Sequence, residues 1–165
     1  MNSKSITLLF ALPLAFLGLQ SLASAEIVTY KATLAGANEV PSNSSNAKGT
    51  AVITVDTISK ASTYEITYSG FAEGPTAAHI HGPAVAGANG PVLVPLTSAD
   101  NPLKDLAAGP GTGSSGPVVF GASPVKGTFT ISDEQYEAMM KGKTYVNIHT
   151  TVFANGEIRG QLAKY

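Results

Sequence analysis

The chain has no cysteine and no tryptophan, and only three of its 165 residues are histidine. Without cysteine there are no disulfides, no thiol catalysis and no thiolate metal ligands. Charge is also scarce: Asp, Glu, Lys and Arg make up 13% of the chain, where about 25% is usual. No basic run appears, which argues against nucleic acid and against an anionic membrane surface as partners. There is no Ser nucleophile elbow, no phosphate-binding Gly loop and no convincing carboxylate pair. Stability has to come from an apolar core, with a bound ligand or metal as a further source.

The N-terminus reads as a Sec-type signal peptide spanning residues 1–25. Lys4 is its positive charge, residues 7–19 are its apolar run, and Ala23-Ser24-Ala25 is a small-residue cleavage site. A membrane anchor is the competing reading, but a spanning helix needs roughly 20 apolar residues. No later stretch is apolar enough to span, so no transmembrane segment is expected after cleavage. Cleavage before Glu26 leaves 140 residues with nine basic and eleven acidic side chains. That is one domain, 26–165, of a secreted or periplasmic protein. Mass spectrometry of the exported protein should find Glu26 first, and an intact Met1 would contradict the assignment.

Most of the remainder alternates apolar and polar residues with period two, which predicts strands. They fall at 27–34, 50–56, 62–69, 77–81, 92–96, 145–152 and 157–162, with one or two more within 117–131. The four-residue link 57–60 predicts an antiparallel hairpin. Residues 99–117, rich in Gly, Pro, Ser and Ala, read as a long surface loop. One helix is expected over 133–141, with Ser132 and Gln135 as a capping box and Gly142 as its stop. Many short strands broken by turns define an all-β antiparallel sandwich or Greek-key barrel with one short helix.

All three histidines sit in two short motifs, Ala78-His79-Ile80-His81-Gly82-Pro83 and Tyr145-Val146-Asn147-Ile148-His149-Thr150. Residues i and i+2 of a strand share a face. His79 and His81 therefore project together, opposite Ile80, and Asn147 and His149 project opposite Val146, Ile148 and Val152. With the apolar set turned inward, the histidines fall on the outer face of the sheet. In the last pair, Ile158 and Leu162 turn inward and Glu157, Arg159 and Gln161 turn out. Asn155-Gly156 is a hairpin signal. Matching the apolar faces requires a three- or five-residue loop or a bulge, and places His149 on the face of Glu157 and Arg159.

Three imidazoles so placed form a plausible set for copper or zinc, with His79, His81 and His149 as ligands. Asn147, Glu157 and Arg159 are candidates to orient them or to touch a ligand. The bland alternative is that the histidines hold loops by hydrogen bonds. Asn43-Ser44-Ser45 matches a glycosylation sequon but reads more simply as part of a solvated Ser-rich loop. Tyr30, Tyr64 and Tyr68 suit half-buried strand positions.

The order of motifs resembles the CHRD (chordin) domain family. It runs through Leu34-Ala35-Gly36-Ala37-Asn38-Glu39-Val40-Pro41, Gly49-Thr50-Ala51 with Asp56, Tyr64 to Phe71, Ala78 to Ala84, Gly90-Pro91-Val92 and the Tyr145-to-Thr150 motif. It ends on Asn155-Gly156-Glu157-Ile158-Arg159-Gly160-Gln161-Leu162. The resemblance spans nearly all of 26–165 and implies a β domain. It does not imply chordin's growth-factor binding, because the cysteine-rich modules are missing. The expected function is a binding or structural module for a small ligand, a metal or an extracellular protein, with no catalytic residue assigned. The competing class is a mononuclear metalloenzyme. H-x-H on a strand, a distant His and a late Arg resemble copper–zinc superoxide dismutases, but three histidines cannot fill both metal sites.

Overall fold

The computed structural model describes residues 24–96 and 120–165. The expected signal peptide, up to residue 23, and the expected loop over 99–117 lie outside the described residues. Nine antiparallel strands form one nearly closed barrel with one short α-helix. In chain order they are β1 (Ile27–Ala35), β2 (Lys48–Asp56), β3 (Ala61–Ser69), β4 (Ala77–His81), β5 (Val92–Leu96), β6 (Val125–Thr130), β7 (Tyr145–His149), β8 (Ile158–Gln161) and β9 (Ala163–Lys164). Around the barrel the order is β5-β4-β7-β8-β1-β2-β3-β6, with β9 also on β1. No helix among the described residues is long and apolar enough to cross a membrane.

Period-two patterning does its work in β1, β2 and β3, where buried and open positions alternate. Their inward residues Tyr30, Leu34, Ala51, Ile53, Val55 and Ile66 are fully buried. Tyr30 and Tyr64 thus belong to the core rather than to half-buried positions. The expected β2–β3 hairpin is present. Asp56 Oδ1 accepts from the N–H groups of Ile58 and Ser59 at 2.9 and 2.8 Å, which shapes its four-residue turn.

The helix α1 (Asp133–Met140) carries the expected capping box. Ser132 Oγ accepts from Gln135 N, and Gln135 Oε1 accepts from Ser132 N. Gln135 Nε2 also donates to Leu93 O, which ties the helix to β5. Ser132→Ala should lower stability by about 1 kcal/mol, the usual cost of a lost N-cap. Denaturant melts of the two proteins measure it.

Strands β4, β7 and β8 position the histidines. β4 pairs with β7 so that His79 faces Asn147 and His81 faces Tyr145. β7 pairs with β8 so that Ile148 faces Ile158 and Asn147 faces Arg159. The apolar faces match, and Ile80, Val146, Ile148, Ile158 and Leu162 are all buried in the core. Val152 is a correction: it is 60% exposed. β7 stops at His149, and the chain leaves the sheet before Val152. Thr150 Oγ1 accepts from Phe153 N and donates to Glu157 Oε2, closing a connection longer than the three or five residues expected.

Candidate metal centre

The face opposite Ile80 and Ile148 carries His79, His81, Tyr145, Asn147, His149 and Arg159. One potential ligand atom from each histidine lies within 4.8 Å of the others, the only such group of three His, Cys, Asp or Glu among the described residues. The cluster could hold a metal ion. Tetrahedral zinc with bonds of about 2.0–2.1 Å sets its ligand atoms roughly 3.3 Å apart, so the widest pair would have to draw in.

Backbone carbonyls fix the rings. His81 Nδ1 is 2.9 Å from Gly90 O, and His149 Nδ1 is 2.9 Å from Ala154 O. A carbonyl only accepts, so each Nδ1 carries a proton and each neutral ring keeps its lone pair on Nε2. Carbonyls that lock the tautomer in this way are the usual partners of metal-binding imidazoles. His81 Nε2 is buried with no partner at hydrogen-bond distance, although the Asn147 side chain lies close enough to act on the ring. His149 Nε2 lies 3.0 Å from His79 Nδ1 and 3.1 Å from Asn147 Oδ1. One proton on His79 can bridge to His149. Asn147 Oδ1 then still faces the same lone pair. A cation at this convergence satisfies all the acceptors together.

Burial pushes all three imidazoles below their ordinary range, His79 to about 4, and the neighbouring histidines add to the effect on His79. The rings are therefore neutral and able to ligate at neutral pH. The sign of the pH dependence follows. Below about 6.5 the unfolded chain takes up protons on histidines that the folded chain still refuses, so stability falls as pH drops from about 6.5 towards 4. Glu39 opposes this. Its carboxyl, raised by burial from 4.5 to about 7, holds a proton in the folded state that the unfolded state releases above 4.5. Its contribution therefore declines as pH rises through that range. Three histidines outweigh one carboxyl, so the metal-free protein should lose stability between pH 6.5 and 4, and Glu39→Gln should steepen the loss. Urea melts across this range measure both.

The outer face is correct for the histidines and for Glu157, Arg159 and Gln161, but it is not open to solvent. His81 is 9% exposed, Glu157 4% and Arg159 2%. Loops cover them. Arg159 Nη2 donates to Ala88 O at 2.7 Å and Nη1 to Asn89 Oδ1 at 3.0 Å, while Asn89 Nδ2 donates to Val40 O. The guanidinium also lies 3.3 Å above the Tyr145 ring, and that ring stacks on His81 at 4.9 Å, nearly parallel. Arg159 thus reaches the cluster through one aromatic ring and forms no surface ion pair. Glu157 does not reach the histidines: its carboxylate takes the hydroxyls of Ser45 and Thr150 at 2.7 and 2.5 Å.

Sequence reasoning missed Tyr145, Glu39 and Asn89. Residues 42–46 form the largely exposed loop expected, but Asn43 within it also ties the sheet: its Nδ2 donates to Glu157 O and its Oδ1 accepts from Ser45 N. The spacing of Asn43 and Ser45 was the available signal, because that pairing is the Asx-turn pattern.

Comparison with curated proteins finds no match, and comparison with solved structures finds none. The CHRD domain model matches residues 30–162. That span runs from β1 to the end of β8 and includes all three histidines. By that match the chain belongs to the CHRD domain family.

Proposed function

We propose that this CHRD domain is an exported, non-enzymatic binding module whose His79, His81 and His149 hold one divalent copper or zinc ion. The observation that carries the reading is the pair of carbonyl-locked imidazoles whose Nε2 lone pairs are left for the cluster, one of them buried with no partner at hydrogen-bond distance. The signal-like residues 1–25 support a secreted or periplasmic setting. Arg159, held by Ala88, Asn89 and Tyr145, does not offer a free guanidinium to an anionic substrate, which favours a module over an enzyme.

A superoxide-handling metalloenzyme is the second reading. It is favoured by the donor set itself, since three imidazoles leave a coordination position for substrate. Two measurements test the proposal. Elemental analysis of untagged protein from its native compartment should find about one copper or zinc per chain. A superoxide assay on the loaded protein should show no activity above free metal, and turnover would favour the enzyme. Affinity should fall as pH drops below neutrality, because ligation requires neutral imidazole. The histidines' share of that fall should lie below the ordinary imidazole range of about 6.5, because burial already keeps the rings unprotonated there.

A further inference from the structure

Glu39 is outside the donor set, yet it is an unusual ionisable group. It is 8% exposed, and its Oε1 has no hydrogen-bond partner. Glu157, the other buried carboxylate among the described residues, is fully engaged with Ser45 and Thr150. Glu39 Oε1 lies against Gly156, where an added Cβ would sit 2.5 Å from it and 2.8 Å from Asn147 Nδ2. Gly156 has φ +125°, a conformation that side chains disfavour, and the absent side chain is what admits the carboxylate. The other end of the Asn147 amide, Oδ1, is 3.1 Å from His149 Nε2. The free carboxylate oxygen and the Asn147 amide thus border the same space over Gly156, and the other end of that amide reaches His149.

Charge balance gives this placement a purpose. An ion held by three neutral imidazoles adds two positive charges beside Arg159, which is 2% exposed and already carries one. Desolvated charge of one sign is costly without a counter-charge. Building on the metal reading above, we propose that Glu39 is the counter-charge of the metal centre. Its carboxylic acid releases its proton to solvent as the ion enters, and the carboxylate remains beside Asn147 while the ion is bound. One O–H bond breaks, and no electrons are transferred. Burial keeps the Glu39 proton in place up to about pH 7, against the pull of Arg159 and the Val40 N–H. The charged and titratable groups facing it are Arg159 from β8 and, across Asn147, His149 from β7.

The test is calorimetric titration of the purified protein with zinc chloride at pH 6.0, in two buffers of different ionisation heat. The wild type should release about one more proton per zinc than Glu39→Gln. The variant should bind roughly 10–100-fold more weakly, the usual effect of removing a group that supports a ligand. Equal proton release and equal affinity would overturn the role of Glu39 while leaving the histidine site standing. A wild type that binds neither zinc nor, in a parallel titration, copper would overturn the site itself, and Glu39's role with it. If Glu39→Gln does not fold, the infrared difference spectrum of the wild type decides. Loss of a protonated-carboxyl C=O band on adding zinc supports the assignment, and an unchanged carboxyl region refutes it.

Discussion

His79→Ala and His81→Ala should each reduce copper and zinc affinity by more than about 100-fold, beyond the 10–100-fold cost of losing a merely supporting group. Each removes one of only three imidazoles, and no cysteine can replace it. His81 contributes the buried Nε2 that has no partner at hydrogen-bond distance. The His79 ring is held at the same point, its Nδ1 3.0 Å from His149 Nε2. The fold should survive His79→Ala, because the ring is neutral and only partly enclosed, and its Ile80 neighbour still anchors β4 in the core. Calorimetry measures the affinity, and circular dichroism checks the fold. Near-normal binding by either variant would show that the histidines are not the ligands.

Arg159→Ala should destabilise the protein by about 2–5 kcal/mol, the range for breaking a buried charged network. That is as much as Ile148→Ala, for which a buried large-to-small change costs about 2–5 kcal/mol. The alternation of the last strand alone predicts a far smaller loss, because an exposed ion pair is worth roughly 0–1 kcal/mol. The difference comes from what covers the face. Removing the guanidinium strips the donors from Ala88 O and Asn89 Oδ1 and bares one face of the Tyr145 ring, whose stack on His81 remains. It also removes one of the ties of the 82–91 loop to the sheet, leaving those of His81 to Gly90 O and Gln161 to Ala84 O, and takes away a cation that acts on Glu39. Arg159→Lys should recover little of the loss, since an ammonium cannot present two parallel donors or lie flat on a ring. Denaturant melts of Arg159→Ala, Arg159→Lys and Ile148→Ala, run side by side, measure all three.

Which face each strand residue takes was legible from alternation, because side-chain direction is a local property of the backbone. His79 and His81 share a face with Asn147 and His149 for that reason, and the capping box of α1 is equally local. What covers a face is not local. Arg159 meets Ala88 and Asn89 across some seventy residues of chain, and no period-two pattern reports such a meeting. Strand ends are similarly obscure. Thr150, Thr151 and Val152 have good strand propensity, but Thr150 satisfies Glu157 and Phe153 instead of a neighbouring strand. Glu39 had a faint signal as the one acid within the Leu34-to-Pro41 motif. Its proximity to Asn147 depends on Gly156, more than a hundred residues later.

X-ray absorption at the metal edge of protein loaded with one equivalent of zinc tests the central claim most directly. Three imidazole nitrogens at about 2.0–2.1 Å are expected, reduced to two in His81→Ala with accompanying loss of affinity. Zinc surrounded by oxygen alone, or an imidazole count unchanged by His81→Ala, would contradict it.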